Sequence, residues 1–327
     1  MKLGTIGTSW ITESFIEAAA SSGRLTLTSV YSRSLEKAEQ FAAKHGAEYA
    51  FEDLEEMAAS EQVEAVYIAS PNSHHFEQAK VLIQHGKHVI CEKPIFSNLK
   101  EWDEIYQLAE EHGVYVLEAI RNIHSPNFEI LKDKLEKAGT IRSALFHYLQ
   151  YSSRYDAFLD GQEPNVFSPE FSGGAMTDLG VYPLYVAAGL FGKPEKISYH
   201  PVLLRNGADG SGTLVLEYGS FVCTVLFSKI TQSYIESEIH GEQGSFILDK
   251  VSPIGRISFV DNRTREKESL GTQQVENDML YEIENLVSVI ETDNKAQYEE
   301  LKELSRLVLS ITEEARKQNG IVFGSEK

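Results

Sequence analysis

The first 120 residues alternate short apolar runs with helix-forming segments, and this rhythm constrains the fold more than any other feature. Parallel strands joined by right-handed helical crossovers are the arrangement that such alternation favours. The sequence therefore predicts an α/β domain over residues 1–121, built on a doubly wound parallel sheet. The strand patterns lie at residues 2–6, 25–31, 65–69, 88–91 and 114–118.

The rhythm changes after this region. A helix is predicted over residues 126–138, and the stretch from 141 to about 261 has mainly strand patterns, interrupted by one helix near 176–190. Glycine-containing turns separate several of these strands, so successive strands can pair without helical crossovers. We therefore expect a second, α+β domain over residues 122–327 with an open, mostly antiparallel sheet. Two final helices, near 276–291 and 297–318, can pack on either domain.

Charge and cysteine content exclude several classes of protein. The chain has 30 Lys and Arg against 49 Asp and Glu, a net charge of −19. This excess repels phosphate backbones and anionic lipids, so we expect no nucleic-acid partner and no membrane role. Cys91 and Cys223 are too few for a disulfide framework and form no C-x-x-C pair, which suits core positions in a reducing cytoplasm. With no membrane-length apolar run and no signal peptide pattern, a cytoplasmic protein is expected.

The turn after the first strand is a candidate phosphate-binding site. The dinucleotide fingerprint is G-x-G-x-x-G/A, but here only Gly7 fits, because Ser9 and Thr12 occupy the other glycine positions. Free N–H groups at a helix start can hold a pyrophosphate, and an ordinary strand–helix turn is the alternative. The candidate cofactor-binding residues of this turn are Gly7, Thr8, Ser9, Trp10 and Ile11.

The end of the second strand indicates which dinucleotide would bind. NAD sites place an acidic residue about 20 positions after the glycine turn, on the ribose 2′-hydroxyl. Here Ser32 and Arg33 occupy that region, with Lys37 nearby. A hydroxyl and a guanidinium suit a 2′-phosphate through charge-assisted hydrogen bonds. We therefore favour NADP over NAD, with a solvated arginine at a helix entry as the alternative reading.

Three later segments occur in a recognisable order. They are S-P-N-S-H-H at residues 70–75, G-K-H-V-I-C-E-K-P at 86–94 and G-G-A-M-T-D-L-G-V-Y-P at 173–183. Together they resemble the glucose–fructose oxidoreductase and inositol dehydrogenase (Gfo/Idh/MocA) family, in its tyrosine-containing branch, which includes trans-dihydrodiol dehydrogenase. The resemblance covers nearly the whole chain and implies a Rossmann domain followed by an open antiparallel sheet. The sequence departs from the family pattern at Ser9 in the glycine turn.

The resemblance also implies roles for individual residues. Asn72, His75 and Glu92 are implied to lie near the nicotinamide and its ribose. Lys93 is implied to be catalytic, with Asp178 and Tyr182 facing it. The neighbours Ser70 and Pro71 belong to the same cofactor turn as Asn72.

Position in the predicted sheet supports this assignment independently. Ser70, Asn72, Glu92 and Lys93 follow strand ends, and open parallel sheets bind ligands beyond the carboxyl ends of their strands. Alcohol oxidation needs a hydride acceptor, which the cofactor supplies, and a proton acceptor, which the protein supplies.

A tyrosine with a pKa near 10 becomes a useful base when a nearby ammonium lowers that pKa by about two units. We therefore expect Tyr182 to exchange the substrate proton, Lys93 to polarise the substrate oxygen and Asp178 to position one of them. Which of Lys93 and Tyr182 is the principal acid stays open. Read singly, the three residues also fit a loop lysine, a helix cap and a core aromatic.

Other polar residues carry weaker expectations. Arg154 follows a strand of the second domain and is a candidate to bind substrate hydroxyls or a carboxylate, with a structural salt bridge as the equal alternative. Arg121 and Asn122 lie at the domain junction and are candidates to border the cleft. The histidines are scattered or adjacent in ways that diverge, so we predict no metal site.

The whole sequence predicts an enzyme and its assembly. We expect an NAD(P)-dependent oxidoreductase that transfers a hydride between the nicotinamide and a sugar, polyol or cyclic alcohol or carbonyl. A nucleotide- or sugar-sensing regulatory protein on the same fold is the alternative, since fold does not fix function. Residues 219–227 are apolar on both alternating faces, and family members often associate through this sheet. A homodimer or homotetramer is therefore expected, with a strand covered by its own chain as the alternative.

Overall fold

A computed structural model describes all 327 residues, Met1–Lys327, and divides the chain into two compact units. The first unit comprises residues 1–119 and 277–305, and the second comprises 120–276 and 306–327. The sequence left the placement of the final helices open, and the structure groups residues 277–305 with the parallel sheet.

The N-terminal part of the first unit alternates strand and helix as the sequence predicts. The elements are β1 (Lys2–Ile6), α1 (Trp10–Ser22), β2 (Thr26–Tyr31), α2 (Leu35–His45), β3 (Tyr49–Phe51), α3 (Leu54–Ala59), β4 (Ala65–Ile68), α4 (His75–Gln84), β5 (His88–Glu92), α5 (Leu99–His112) and β6 (Val116–Ala119). The six strands are parallel and form one sheet in the order β3-β2-β1-β4-β5-β6, which confirms the doubly wound Rossmann-type arrangement.

Local sequence signals fix these boundaries. Asp53 accepts a hydrogen bond from the Glu56 backbone N–H at 3.1 Å, and Asn98 accepts one from the Glu101 N–H at 2.9 Å. Both side chains satisfy an N–H group that the first turn of a helix leaves unpaired. The short strand β3 has no alternating pattern of its own and was not predicted from the sequence.

The register of the parallel sheet brings its turns to one edge. Ile6 lies opposite Tyr31 and Ile68, and Ile68 lies opposite Cys91. The residues that follow β1, β2, β4 and β5 therefore leave the sheet at the same edge. Beneath this edge the Phe15 and Tyr67 rings stack with centroids 3.6 Å apart, packing α1 onto the sheet.

The second unit is built on an eight-stranded sheet in the order β14-β13-β12-β11-β7-β10-β9-β8. Its pairs are antiparallel except for β7 and β10, which run parallel. The prediction of an open, mostly antiparallel sheet is confirmed. The elements are α6 (Pro126–Lys134), β7 (Ile141–Leu149), α7 (Tyr155–Leu159), α8 (Val181–Phe191), β8 (Lys196–Leu203), β9 (Asp209–Glu217), β10 (Val222–Ser228), β11 (Ser237–Gly241), β12 (Gly244–Leu248), β13 (Ile257–Asp261) and β14 (Lys267–Ser269).

Two predicted helices are divided in the structure. The helix predicted over 126–138 is α6 followed by a 3₁₀ turn at Leu135–Ala138, and the helix predicted over 176–190 begins with a π-helical turn at Met176–Gly180 before α8. Periodicity does not distinguish these helix types over one turn, because all three place apolar residues on one side.

Two helices complete the chain, α9 (Met279–Glu291) and α10 (Lys295–Gln318). Helix α9 packs against α1 in the first unit, where the Asn277 amide donates to the Ser14 carbonyl at 2.8 Å. None of the helices combines the length and the apolar composition that a membrane-spanning helix needs. Cys91 and Cys223 are both buried free thiols, as their core assignment predicts.

Candidate active site

The turn after β1 is shaped by a close approach of two strands. Gly7 has φ +110°, and a Cβ at this position would lie 2.7 Å from the Ala69 carbonyl oxygen. Only glycine fits this conformation and this space. Thr12 is fully buried and Ser9, the N-cap of α1, makes no side-chain capping bond. The turn thus keeps free backbone N–H groups and an uncommitted hydroxyl at a helix start, which suits a phosphate group.

The other residues of this turn differ in exposure. Thr8 and Ile11 are half-buried, whereas the Trp10 side chain is 70% exposed. The hydroxyl of Thr12 is buried without a hydrogen-bond partner. The first unit therefore accommodates a threonine at the third fingerprint position by burying it against the sheet.

The end of β2 places a cation beside the turn after β4. Arg33 is exposed, and its charge together with burial, the larger cause, lowers the pKa of His74. Ser32 is half-buried and accepts a bond from the Ser34 N–H at 3.4 Å, while Lys37 is exposed on the first turn of α2. The basic group that was predicted to meet a 2′-phosphate thus lies at the same sheet edge as the phosphate turn.

The turn after β4 is held by a buried histidine. His75 Nε2 lies 3.0 Å from the Ser70 carbonyl oxygen, and Nδ1 lies 3.1 Å from that of Pro94 and 3.2 Å from that of Ile95. His75 is fully buried, and this burial lowers its pKa. It therefore links the Ser70 turn to the turn after β5. Pro71 and Asn72, on the Ser70 turn, are half-buried.

The turn after β5 carries Glu92 and Lys93. Glu92 accepts bonds from the Tyr67 hydroxyl at 2.5 Å and from the Lys93 N–H at 3.2 Å. The Lys93–Pro94 peptide bond is cis, and the next N–H, that of Ile95, donates to the buried Glu118 carboxylate at 3.1 Å. Lys93 itself is half-buried. The backbone on both sides of Lys93 is therefore fixed by side chains.

The second unit fixes its candidate residues through a buried carboxylate. Asp209 accepts bonds from the Met176 N–H and the Tyr199 hydroxyl, both at 2.7 Å. Gly174 has φ +152°, and a Cβ there would overlap the Asp209 carboxylate. This contact explains the second glycine of the G-G signature. Burial raises the pKa of Asp209 to about 6.

Asp178 lies in the π-helical turn and forms an ion pair with Lys229, the residue after β10. The Lys229 side chain is 5% exposed and that of Asp178 is 30% exposed. Asp178 does not cap α8, because Gly180 occupies the N-cap position and no side chain caps the helix. The alternative of a capping aspartate is therefore wrong.

Tyr182, in the first turn of α8, is buried between neighbours of the same unit. Its ring centroid lies 5.6 Å from that of Tyr148 and 5.9 Å from the Arg121 guanidinium. Its carbonyl oxygen accepts a bond from the Asn122 amide at 3.0 Å, and that amide also bonds Val251. Arg121 thus contacts the candidate tyrosine directly, whereas Asn122 is fully buried and supports its backbone.

A cleft of about 1130 Å³ opens in the second unit beside the two residues that flank the Tyr182 ring. Arg121 and Tyr148 line it, together with polar groups of Gln150, Gln232, Asp249 and Lys250. Arg154 does not line this cleft; it is an exposed residue that precedes α7. The cleft offers donors and acceptors of the kind that bind hydroxylated ligands.

The structure brings the predicted residues together in two groups. Within the first unit, the turns after β1, β2, β4 and β5 share one sheet edge, and within the second, Asp178 and Tyr182 share one helical segment. The meeting of Lys93 with Tyr182 stays a prediction.

The sequence patterns did not identify Glu118, Asp209 and Lys229, which bond Ile95, Met176 and Asp178 respectively. None of the three belongs to a motif, and each is recognisable only as a charged residue in an otherwise apolar strand or at its end.

The fold and these turns define a class, the dinucleotide-binding oxidoreductases with a second α+β domain. Family models match both units. Residues 1–119 match an oxidoreductase family with an NAD-binding Rossmann fold, and residues 134–247 match the GFO/IDH/MocA C-terminal domain. The chain belongs to the GFO/IDH/MocA oxidoreductase family. The predictions of family, fold class and an NAD(P)-dependent oxidoreductase are confirmed.

Individual relatives match over the full length. The chain is 44% identical over 327 residues to scyllo-inositol 2-dehydrogenase (NADP(+)) of Bacillus subtilis, covering all of this chain and 99% of that protein. It is 28% identical to mouse trans-1,2-dihydrobenzene-1,2-diol dehydrogenase, covering all of this chain and 99% of that one. An NAD binding oxidoreductase from Klebsiella pneumoniae has the same fold, with a TM-score of 0.83 and 21% identity over 97% of this chain and 96% of that chain.

Proposed function

We propose that the protein is an NADP-dependent dehydrogenase that oxidises a secondary hydroxyl of a cyclic polyol, with scyllo-inositol as the first candidate. The observation that carries this proposal is the shared edge of the parallel sheet, where Gly7, Arg33 and Lys93 follow neighbouring strands. The full-length similarity to an NADP(+)-dependent inositol dehydrogenase supports the substrate class.

Each unit has a proposed task. The first unit binds the cofactor: the turn at 7–11 holds the pyrophosphate, Ser32, Arg33 and Lys37 hold the 2′-phosphate, and Ser70, Pro71, Asn72 and Glu92 border the nicotinamide ribose. His75 has no exposed surface, so we assign it to positioning the Ser70 and Lys93 turns. The second unit binds the substrate, through Asp178, Tyr182 and the polar cleft, with Arg154 as an outer contact.

The chemistry divides between cofactor and protein. When bound, an oxidised nicotinamide would supply the acceptor for the hydride of the carbinol carbon. Lys93 donates a hydrogen bond to the substrate oxygen and stabilises the negative charge that develops there. The phenol oxygen of Tyr182, once deprotonated, takes the hydroxyl proton, and in the reverse direction it returns that proton to the carbonyl oxygen.

A substrate and cofactor screen tests this proposal. The purified protein is incubated with scyllo-inositol, myo-inositol, levoglucosan or a trans-dihydrodiol, each with NADP⁺ and NAD⁺, and absorbance of the reduced nicotinamide is followed. We expect the largest kcat/KM for a cyclic polyol with NADP⁺. Saturable NADPH binding without oxidation of any polyol would support the sensing protein instead.

We also propose that two copies associate through the face of the second sheet opposite α8. On β10, Cys223, Val225 and Phe227 are buried, whereas Val222 is 40% exposed and Leu226 is half-buried. This partly apolar outer face supports an interface. Sedimentation at micromolar concentration tests it, and a strict monomer would contradict it.

A further inference from the structure

Lys229 is a buried cation that no motif identifies. Its side chain is 5% exposed, and its ammonium pairs with the Asp178 carboxylate. An ammonium removed from water to this extent is costly unless a partner of opposite charge lies against it. Asp178 is that partner, so the pair is a built feature of the second unit and not a surface ion pair.

The backbone of Lys229 is fixed on both sides. Its N–H donates to the Gly210 carbonyl at 2.9 Å, and its own carbonyl accepts from the Ser152 N–H at 2.8 Å. Its ammonium also lies 5.4 Å from the centroid of the buried Phe167 ring. The ammonium is therefore held at one place, and it holds the Asp178 carboxylate in turn.

Several titratable groups surround this pair. Asp209 on β9 accepts hydrogen bonds from the N–H of Met176, two residues before Asp178, and from the Tyr199 hydroxyl of β8. Tyr182 follows Asp178 by one helical turn, and Tyr148 of β7 lies against its ring. These groups are carboxyls and phenols, and the Arg121 guanidinium also lies 5.9 Å from the Tyr182 ring. Lys229 is the cation whose ammonium pairs with the Asp178 carboxylate within the second unit.

We propose that Lys229 is a positioning residue, which holds Asp178 as a fixed, ionised hydrogen-bond acceptor for a substrate hydroxyl and not as the acceptor of the transferred proton. The proposal rests on the proposed function, because it places Asp178 at the substrate. It assigns proton transfer to Tyr182 or Lys93, since a carboxylate that keeps its cation keeps its charge throughout the reaction.

Two variants test this role through the pH dependence of turnover. Lys229→Met is expected to lower kcat/KM at neutral pH about 10- to 100-fold and to move the acidic limb of its pH profile upward by about one to two units. The reason is that a partly buried carboxylate without its cation takes up a proton at higher pH. Lys229→Arg is expected to restore the acidic limb, with a smaller loss in kcat/KM. A wild-type profile in Lys229→Met would overturn the proposal.

A matched control separates positioning from stability. Arg316 forms a buried ion pair with Glu326 at 3.0 Å in the same unit. Arg316→Met is expected to lower the melting temperature without moving the pH profile. If it moves the acidic limb as far as Lys229→Met does, the shift reflects general destabilisation and the proposal fails.

A readout independent of turnover distinguishes this proposal from the proposed function. Asp178→Asn is made in the wild-type and Lys229→Met backgrounds, and melting temperatures are measured between about pH 5 and 8. We expect the change in melting temperature that Asp178→Asn causes to depend on pH mainly in the Lys229→Met background. The same pH dependence in both backgrounds would overturn the role of Lys229 even if no polyol is oxidised, whereas absence of turnover alone would count only against the proposed function. If Lys229→Met alone does not fold, the double variant is expected to fold, because it leaves no unpaired charge; failure of Asp178→Asn to restore folding would then overturn the role of Lys229.

Discussion

The two units hold their candidate residues in different ways. In the first unit, Lys93 lies on a turn beyond a strand end, and neighbouring side chains fix its backbone through Ile95 and Pro94. In the second unit, Asp178 is fixed through its own carboxylate, by the buried ammonium of Lys229. A side chain whose backbone is held can be changed with little loss of stability, whereas a buried partner in an ion pair cannot.

Activity and stability are therefore coupled differently in the two units. We expect substitutions in the strand-end turns of the first unit to change turnover or cofactor affinity while leaving unfolding nearly unchanged. Substitutions in the helical segment of the second unit are expected to change both. The following variants test that contrast.

The largest expected effect is that of Lys93→Met. Loss of the ammonium removes the donor that stabilises charge on the substrate oxygen, and general acid–base and electrostatic groups contribute about 10²- to 10⁴-fold. We expect kcat/KM to fall about 10³-fold with a melting temperature close to that of the wild type. The control is Lys87→Met, a half-buried lysine whose ammonium bonds only the Ser60 and Val63 carbonyls at 2.8 Å. If Lys93→Met keeps hydride transfer within a few-fold, the proposed role of this lysine is wrong.

The next effect is that of Tyr182→Phe. The ring is buried against Tyr148, so phenylalanine keeps the packing and removes only the hydroxyl. We expect kcat to fall about 10²-fold and the rate to lose its dependence on the ionisation of this phenol. Tyr218→Phe removes the hydroxyl of a half-buried tyrosine of the same unit, which donates to the Gly192 carbonyl at 3.2 Å, and serves as the control. Equal rates for the two variants would exclude Tyr182 as the proton acceptor.

Arg33→Gln is expected to have a smaller effect, which is limited to the preference for NADPH over NADH. A hydrogen bond to a charged group contributes about 1.5 to 3 kcal/mol, which corresponds to a loss in NADPH affinity of roughly 10- to 100-fold. NADH affinity is expected to change little, because NADH has no 2′-phosphate. Titration of intrinsic fluorescence with each cofactor measures both constants. Equal losses for NADPH and NADH would mean that Arg33 does not select the cofactor.

The same variant has a readout that needs no cofactor. Burial and, to a smaller extent, the charge of Arg33 lower the pKa of His74, so Arg33→Gln is expected to raise that pKa. Titration of the His74 ring by NMR detects the change. Arg24→Gln, in an exposed ion pair of the same unit, is the control and is expected to leave the His74 titration unchanged.

The sequence was informative where chain order alone decides position. Parallel strands with short crossovers must end at one edge, so the locations of Gly7, Arg33, Asn72 and Lys93 followed from the alternation pattern. The alternation pattern did not predict the buried hydrogen bonds and ion pairs that hold the candidate residues. Asp209 meets Met176 across 33 residues and Lys229 meets Asp178 across 51, and nothing local to either residue specifies such a partner.

The parallel pairing of β7 with β10 illustrates the same limit. Strand patterns separated by glycine-containing turns identified both as strands, but which strands become neighbours depends on how the whole sheet assembles. This pairing brings the end of β10 next to the end of β7, where the Gln150 N–H donates to the Ser228 carbonyl at 2.9 Å. The position of Lys229 is thus a product of sheet order, which is why no motif marked it.

The smallest effect on turnover, and the clearest one on stability, is expected for Asp209→Asn. Burial raises the pKa of Asp209 from 3.8 to about 6, so the folded protein holds this proton more tightly than the unfolded chain does. The free energy of unfolding of the wild type should therefore fall as pH rises from about 4 to about 6, by roughly 1 to 3 kcal/mol. Asparagine has no such proton, so the difference between wild type and Asp209→Asn should shrink or reverse over this range. Urea unfolding at a series of pH values measures it.

The outcome bears directly on the contrast between the two units. Asp209 binds the Met176 N–H at the start of the turn that carries Asp178, and asparagine can still accept that bond. Turnover is therefore expected to change only a few-fold. The free energy of unfolding of Asp209→Asn is expected to depend on pH differently from that of the wild type. A difference in unfolding free energy that is constant with pH would mean that the carboxylate is solvated in solution. The second unit would then hold its candidate residues no more rigidly than the turns of the first unit do.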